Sequence, residues 1–399
     1  MRLRRLFPTK LRQTLVRAEE AAYRLTLTTL MPVNHLLARV LAQRFVAESV
    51  LHISGLVHVP YYTVAILRQH GMRADYLAVG DSPWWEKADF KYQPRRLGSI
   101  SVLQEMWWVW RVVSRYEILH SHFIVTVSRT GWEWPLLRKM GRHIVVHYRG
   151  CEIRNRALNE TLHPEMNICQ ECDYDPALCL TPLNALRRRL AAEYGSAYLI
   201  TTPDLRDFAP NAVHIPFFAT PANAAARRER TSKRIKIVHA TNHRGIEGSR
   251  QIRAAIDEVI RRGHDVEYVE LNGVRHERVL AELSNADLSI GKMKMGYYAN
   301  LQIESMVSGV PTITYIRPDF MTEELHQSGF IFATLDNLAD VIDYYISRPA
   351  ALRLKRERAR ESILAIHDNA AIARQYMDLY KRLLTDGPSA AVATALDAQ

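Results

Sequence analysis

The chain has 399 residues, and at ~150 residues per domain this length predicts two or three domains. Hydrophobic residues make up 48% and charged residues 24%, proportions that exclude a disordered or fibrous protein. The formal net charge is +11, of which residues 1–47 carry +7, with nine basic and two acidic residues. Because the excess charge is concentrated in one terminal segment and no nucleic-acid-binding module is recognisable, we expect no nucleic-acid partner.

The N-terminal segment, residues 1–47, mixes arginines with apolar residues in a helical rhythm that Pro32 interrupts. This pattern predicts one or two amphipathic basic helices. They could lie on an anionic membrane face or pack on the main domain with their charged side in solvent, and the two are compatible. The segment lacks the apolar core of a secretion signal, and no stretch reaches the ~18 apolar residues of a membrane span. We therefore expect a cytoplasmic protein that can lie on the cytoplasmic membrane face.

Strand and helix patterns alternate through residues 48–218, which indicates a first α/β domain. A strand-like run over 48–54 ends at Gly55 and is followed by a helical pattern that stops at Gly71. Further β-branched runs occur at 74–79, 117–123, 143–150, 197–202 and 212–217. Helical stretches separate most of them, which favours a parallel sheet covered on both faces.

A small, polar linker at 219–234 leads to a second α/β series over 235–349. Its predicted strands are 235–240, 265–271, 286–291, 310–316 and 330–334, and its predicted helices are 249–262, 275–284, 300–308 and 336–347. A final helix over 350–385 is long enough to cross back to the first domain, and residues 386–399 form a tail. Two such domains place a ligand cleft between the carboxyl ends of their strands.

Residues 291–315 place a carboxylate beside the start of a predicted helix. A turn around Gly296 leads into a helix that begins near Asn300 and ends before Gly309. Glu304 projects one turn above Asn300, away from the face that packs on the core. A carboxylate at this position could accept hydrogen bonds from both hydroxyls of a ribose, whereas the simpler interpretation is a glutamate in solvent.

Glu304 is followed by Ser308-Gly309-Val310-Pro311, and this pattern resembles the nucleotide-sugar domain of GT-B glycosyltransferases, in particular glycosyltransferase family four. The resemblance extends over about 48–320 and is strong only over 235–320. It implies an α/β fold of two Rossmann-like domains whose parallel sheets face an interdomain cleft, with Glu304 holding the donor ribose. The loop implied to lie along the donor sugar and diphosphate contains Gly296, Tyr297, Tyr298 and Asn300. Gly296 stands where the family has the first glutamate of its motif.

Residues 237–263 resemble the turn and helix at which the family binds the donor diphosphate. The resemblance implies diphosphate contacts from Arg244 and from the helix start near Ser249. The lysine that follows in the family is Glu247 here, which either repels a diphosphate or complements the helix dipole. Lys292 and Lys294, in the loop after the neighbouring strand, either supply the lost positive charge or lie in solvent.

In the first domain, Gly150-Cys151-Glu152-Ile153-Arg154 resembles the family's Gly, Ser, Asp, x, Arg loop, which faces the cleft. The resemblance makes His147 and Arg149 candidates for catalytic contacts together with Arg244, although a histidine inside a strand is more often a core residue. The residues implied on the acceptor side are Gly55, His58 and Arg154.

All seven tryptophans fall within residues 84–134. Tryptophan suits sites that are half apolar and half wet, such as a sugar-stacking surface or a membrane interface, although a plain core explains some of them. Together with the basic N-terminal segment, this cluster favours a saccharide or lipid-linked acceptor presented at an anionic membrane.

The four cysteines are also clustered. They are Cys151, Cys169, Cys172 and Cys179, and the middle two have the C-x2-C spacing of metal ligands. A structural zinc ion or iron-sulfur cluster would staple the loop-like insertion at about 155–182. Free thiols in a reducing cytosol are the next alternative, and structural disulfides are the last.

These patterns predict a glycosyltransferase that moves a sugar from a nucleotide-sugar donor to an acceptor hydroxyl, with retention as the resemblance implies, in cell-surface polysaccharide or glycolipid assembly. Transfer itself would need no cofactor, because cations and helix dipoles would stabilise the departing diphosphate. The alternative is a catalytically degenerate nucleotide-sugar-binding or scaffold protein of the same fold, in which Glu247 and Gly296 have disabled the donor chemistry.

Overall fold

The computed structural model describes residues 9–55, 59–80, 85–174, 179, 181–219 and 234–386. These residues form two parallel sheets with flanking helices, which confirms the predicted α/β fold class. The seven-stranded sheet of the first domain has the order β3-β2-β1-β4-β5-β6-β7, and the five-stranded sheet of the second has the order β12-β11-β10-β8-β9.

The strands of the first sheet are β1 (Val46–Ser54), β2 (Arg73–Val79), β3 (Phe90–Tyr92), β4 (Tyr116–His122), β5 (His143–Tyr148), β6 (Ala197–Ile200) and β7 (Val213–His214). Those of the second are β8 (Ile235–Thr241), β9 (Val266–Asn272), β10 (Leu288–Ile290), β11 (Thr312–Thr314) and β12 (Phe330–Phe332).

The helices of the first domain are α1 (Thr9–Leu41), α2 (Val59–Gln69), α3 (Ser99–Arg111), α4 (Glu133–Lys139), α5 (Arg156–Leu162) and α6 (Pro182–Tyr194). Those that follow are α7 (Arg244–Glu247), α8 (Ser249–Arg261), α9 (His276–Leu283), α10 (Asn300–Val307), α11 (Glu323–Gln327), α12 (Leu338–Ile346), α13 (Pro349–Ile366) and α14 (Asn369–Asp386).

The order of the strands fixes where a ligand can bind. β1 lies between β2 and β4, with Leu51 opposite Asp75 on one side and Leu119 on the other, so the chain reverses its direction of winding at β1. β8 occupies the same position in the second sheet, between β9 and β10. Such a reversal leaves a crevice at the carboxyl ends of the strands, because the helices that follow pack on opposite faces of the sheet.

Helix α1 is one continuous helix of 33 residues with Pro32 inside it, whereas the sequence pattern predicts a break there. Contacts on both sides of the proline hold α1 on the first domain. Before it, the Tyr23 hydroxyl donates a hydrogen bond to Glu105 at 2.8 Å. After it, the Trp110 indole donates to Asn34 at 2.7 Å. Tertiary contacts therefore outweigh the hydrogen bond that proline removes from the helix.

The acidic residues of α1 have a structural role. Arg129 of the first domain contacts Glu19 at 2.7 Å and Glu20 at 3.1 Å, and its guanidinium lies 4.4 Å from the ring centre of Tyr23. The helix is thus bound to the domain through both of the carboxylates that the N-terminal segment contains. Within the described ranges, the structure contains no helix with the length and apolar character of a bilayer span.

The C-terminal segment forms two helices where the sequence predicts one. Helix α13 ends at Ile366, and the Asp368 carboxylate then accepts a hydrogen bond from the Ala370 amide at 2.9 Å at the start of α14. Helix α14 packs on the first domain and buries Tyr376 and Tyr380 there. The turn between the helices lets the chain cross from the second domain to the first.

We expect Tyr23→Phe to destabilise the first domain by about 1–2 kcal/mol, because it leaves the buried Glu105 carboxylate with one hydrogen bond fewer. Tryptophan fluorescence during urea unfolding measures this, since all seven tryptophans lie in residues 84–134. Tyr61→Phe is the matched control, because no partner of the Tyr61 hydroxyl is found among the described residues. Equal unfolding midpoints for the two variants would show that the bond to Glu105 does not fasten α1.

Candidate functional site

A cavity of about 670 Å³ lies between the carboxyl ends of the two sheets. Its first-domain wall comes from the segments that follow β1, β4 and β5 and from α6, and its second-domain wall from the segments that follow β8 and β10. Predicted site residues that line it are Gly55, Arg149, Cys151, Arg154, Cys179 and Lys292. His58 lies outside the described residues.

Glu304 is not a solvated helix residue. Only 9% of its side chain is exposed, and it borders a small gap between the domains together with Asn300 and Phe217. Its two carboxylate oxygens each lie 3.0 Å from Nε2 of His276, which donates to both. This contact is the largest cause of a raised pKa for His276. No motif in the sequence connects His276 to Glu304, because His276 starts a different helix, α9.

The charged residues of the glycine turn after β8 form ion pairs inside the second domain. The turn contains the short helix α7 and then Gly248, whose φ of 82° lies in the left-handed region that favours glycine. Glu247 forms an ion pair with Lys292, so it neutralises a lysine rather than facing solvent. Arg244 is 61% exposed and contacts Glu270 at 2.8 Å. Ser249, which begins α8, lies 2.7 Å from Nε2 of the buried His239.

Glu171, in the cysteine-containing insertion of the first domain, contacts the second domain beside this turn. Its carboxylate forms ion pairs with Lys294 and Arg250 and accepts a hydrogen bond from Gln251 at 2.8 Å. The hydrogen bonds from Gln251 and Lys294 lower the pKa of Glu171 to about 2. A Cβ atom at Gly245 would lie 1.6 Å from the backbone oxygen of Glu171, so only glycine lets the insertion approach.

The loop before α10 is packed rather than open. Tyr298 is buried, and its hydroxyl lies 2.9 Å from Nε2 of His367 at the turn between α13 and α14. Tyr297 stacks on it with ring centres 4.4 Å apart. Gly296 has a φ of 82°, and a Cβ there would lie 2.7 Å from the Arg317 side chain. Arg317 itself reaches the first domain and contacts Asp207 at 2.5 Å.

In the first domain, the predicted candidates divide into cavity and core positions. Arg154 is buried in an ion pair with Asp204, although it also touches the cavity wall. His147 is fully buried, with Nδ1 3.0 Å from Nε2 of His120 and Nε2 2.9 Å from the Thr201 hydroxyl. Arg149 reaches the cavity, and its guanidinium donates to Thr201 at 2.8 Å.

Three further buried histidines surround His147, and the sequence analysis did not single them out. They are His52 on β1 and His120 and His122 on β4. The strand registers place His52 opposite His120 and His122 opposite His147. A signal was present in the sequence, because each of three neighbouring strands carries a histidine near its carboxyl end.

The four cysteines are free thiols in the structure and are partly buried. They lie close enough for their charges to interact, since Cys172 and Cys179 contribute, after burial, to the raised pKa of both Cys151 and Cys169. No three of the sulfur atoms lie within 4.8 Å of one another, a spacing that only His52, His120 and His122 satisfy in the described part of the chain. The metal site at the cysteines stays a prediction.

We expect the contact between His276 and Glu304 to give a pH-dependent stability. The pKa of His276 is raised above 6.5 in the folded protein, so the stabilisation is complete below about pH 6 and is lost as the pH rises through the raised value. The melting temperature of wild type should exceed that of His276→Gln near about pH 6, and the difference should shrink toward about pH 9. His326→Gln, at an exposed position on α11, is the control. A difference that does not change with pH would contradict this electrostatic account.

The sequence matches no protein-family model and no curated protein. Among solved structures, the fold is similar to sucrose-phosphate synthase from Thermosynechococcus elongatus, with a TM-score of 0.57 and 13% identity over 85% of this chain and 100% of that one. It is also similar to HepE of Anabaena in complex with UDP-glucose, with a TM-score of 0.54 and 11% identity over 88% and 100%. A third is the catalytic domain of starch synthase IV from Arabidopsis thaliana bound to ADP and acarbose, with a TM-score of 0.52 and 12% identity over 87% and 100%.

Similarity at such low identity establishes the fold. It confirms the GT-B architecture that the sequence predicts, whereas membership of glycosyltransferase family four stays a prediction. The chain has the GT-B fold, with a cavity of about 670 Å³ between the two domains.

Proposed function

We propose that the protein is a glycosyltransferase that moves a sugar from a nucleotide-sugar donor to an acceptor hydroxyl in the interdomain cavity. The observation that carries the proposal is the geometry of the Glu304 carboxylate in α10. Both of its oxygens lie 3.0 Å from the same nitrogen, Nε2 of His276. That geometry suits the two hydroxyls of a ribose. Two proteins of similar fold contain UDP-glucose or ADP, which supports a nucleotide-linked donor.

The donor diphosphate would lie beside the glycine turn, where Lys292, Lys294 and Arg244 lie near the start of α8. Each of these cations has a carboxylate partner in the structure, namely Glu247, Glu171 and Glu270. A diphosphate would therefore replace carboxylates rather than fill an unpaired positive site. Glu171 is the most readily displaced, because it belongs to the other domain and its insertion is loop-rich.

Arg149 is the first-domain residue that we place at the reacting groups, because it lines the cavity and carries a positive charge there. His147 lies behind it with both ring nitrogens engaged, so we assign it a positioning role. Retention of configuration is our inference from the resemblance to family four.

The second candidate is a catalytically degenerate nucleotide-sugar-binding or scaffold protein. The ion pairs of Lys292 with Glu247 and of Lys294 with Glu171 favour it, because they neutralise cations that a diphosphate needs. The two functions differ in one outcome: a scaffold binds the nucleotide sugar without turnover, whereas a transferase releases the nucleoside diphosphate.

We propose that the acceptor is a saccharide or lipid-linked saccharide presented at an anionic membrane, as in cell-surface polysaccharide or glycolipid assembly on the cytoplasmic face. An apolar face extends over α1 and α3. The two helices are joined by a hydrogen bond of 2.6 Å between the hydroxyls of Thr26 and Ser99. Its exposed residues are Leu25, Leu36, Val40, Ile100, Leu103 and Trp107. Their spacing places them on one side of each helix. Arg95 and Arg96, just before α3, line the cavity, so this face adjoins the acceptor entrance.

We expect Glu304→Gln to weaken the binding of UDP or UDP-glucose about tenfold to 100-fold, because the neutral amide replaces one of the two acceptors of the ribose diol. Isothermal titration measures the dissociation constant, and release of UDP from UDP-glucose measures turnover. Glu324→Gln, on the exposed surface of α11, is the matched control. If Glu304→Gln binds UDP or UDP-glucose with the same dissociation constant as wild type, Glu304 does not hold the ribose.

The double variant Leu36→Asp/Val40→Asp should reduce binding to vesicles that contain phosphatidylserine about tenfold or more, because it places two charges on the apolar face. Sedimentation with vesicles measures the bound fraction. Leu354→Asp, at a 46% exposed leucine of α13, is the control, and the urea midpoint checks that each variant is folded. Equal sedimentation of wild type and double variant would exclude this face as the membrane contact.

A further inference from the structure

Arg149 is a partly buried cation that forms no ion pair with a carboxylate among the described residues. Its terminal nitrogens donate to the Thr201 hydroxyl at 2.8 Å and to Nδ1 of His122 at 2.9 Å, and its Nε atom has no partner among the described residues. Burial lowers the pKa of Arg149 to about 10, so the guanidinium stays protonated at neutral pH. Removing even part of a charged group from water is costly unless an opposite charge meets it.

The hydrogen bonds around Arg149 fix the proton on every neighbouring histidine. Because a guanidinium can only donate, Nδ1 of His122 accepts, and Nε2 of His122 must donate to Nδ1 of His52 at 3.0 Å. Nε2 of His52 then donates to the Tyr380 hydroxyl at 3.4 Å, and that hydroxyl donates to Nδ1 of His120 at 2.6 Å.

The chain of hydrogen bonds closes on itself. Nε2 of His120 donates to Nδ1 of His147 at 3.0 Å, and Nε2 of His147 donates to the Thr201 hydroxyl, which also accepts from Arg149. Burial is the largest cause of the lowered pKa of all four histidines, so each is neutral. We call this closed set the histidine ring. All eight imidazole nitrogens have partners in it, so the ring has neither a negative charge for Arg149 nor a free ligand for a metal ion.

Arg187 on α6 is a second cation of the same kind. It is partly buried and lines the cavity, its Nε atom has no hydrogen-bond partner within the described ranges, and burial lowers its pKa. The charge of Glu152, which also lines the cavity, acts on both arginines. Glu152 forms no ion pair with either within the described residues. It instead accepts the backbone amide of Arg149, and burial raises its pKa. As far as the structure describes the first-domain wall of the cavity, Arg149 and Arg187 are two guanidinium groups there that form no ion pair with a carboxylate.

We propose that Arg149 and Arg187 form a binding subsite for an oxyanion of the substrate, a phosphoryl or carboxylate group, with the histidine ring holding Arg149 in position. The proposal deepens the proposed function and rests on it, because the cavity is taken as the place where donor and acceptor meet. The oxyanion has two possible sources. It is either a phosphoryl group on the acceptor or the carboxylate of a uronic acid on the donor, and guanidinium binds both in the same two-pronged way.

The test is a set of titrations on the full chain. UDP-glucose and UDP-glucuronate compare a neutral with an anionic donor sugar, and glucose 1-phosphate added to UDP-saturated protein represents a phosphorylated acceptor. We expect one anionic probe to bind at least about tenfold more tightly than its neutral counterpart, UDP-glucose or glucose. The arm that shows the preference identifies the source.

Arg187→Gln should weaken the preferred anionic probe about tenfold to 100-fold and leave the affinity for UDP unchanged. Arg189→Gln, at an exposed position on the same helix, is the matched control. Tyr380→Phe removes the hydroxyl that closes the histidine ring. Like Arg187→Gln, it should weaken the binding of the preferred anionic probe and leave the affinity for UDP unchanged. Circular dichroism and the melting temperature check the fold of each variant.

If UDP binds, two outcomes overturn the subsite. One is equal affinity for the anionic and the neutral probe in both titrations, and the other is an equal dissociation constant of Arg187→Gln and Arg189→Gln for the anionic probe. A failure of UDP and of both UDP-sugars to bind overturns the proposed function instead. In that case the titration with glucose 1-phosphate tests the subsite by itself. The subsite then stands only if Arg187→Gln binds glucose 1-phosphate more weakly than Arg189→Gln does.

Discussion

The histidine ring is the constraint on which the cleft depends. It joins the carboxyl ends of β1, β4 and β5, the segment after β6 and the C-terminal helix α14 through seven side chains. It holds the partly buried Arg149 at the cavity wall with neutral acceptors alone. A carboxylate in place of His122 would neutralise Arg149, whereas an apolar residue in the ring would leave a neighbouring donor or acceptor unpaired. Because Tyr380 comes from the far end of the chain, the ring also fixes the path by which the C-terminal segment returns to the first domain.

Several side-chain contacts join the two domains beside the cleft. Glu171 reaches Lys294, Asp207 reaches Arg317, and His367 bridges the Phe217 backbone oxygen and the Tyr298 hydroxyl. These contacts use cations and loop residues that the resemblance assigns to the donor. In the function that we propose, donor binding would compete with ion pairs inside the protein, and the outcome of that competition would distinguish a transferase from a degenerate scaffold of the same fold.

The sequence predicts the alternation of strands and helices, the two domains and the position of Glu304 beside a helix start, because these depend on local periodicity and turn residues. It does not predict the continuity of α1 through Pro32, since the contacts of Tyr23 and Asn34 that hold the helix are tertiary. The partners of the charged residues are missed for the same reason. His276 meets Glu304, and Glu171 meets Lys294, only after strand order brings distant segments together. The protons of the histidine ring follow from three-dimensional geometry alone.

The most direct test of the central claim is a crystal structure of the protein with UDP bound. The account predicts both ribose hydroxyls on the Glu304 carboxylate, the diphosphate beside Lys292, Lys294 and the start of α8, and Glu171 displaced from Lys294. Nucleotide bound elsewhere, with Glu304 still facing only His276 and Glu171 still paired with Lys294, would contradict it.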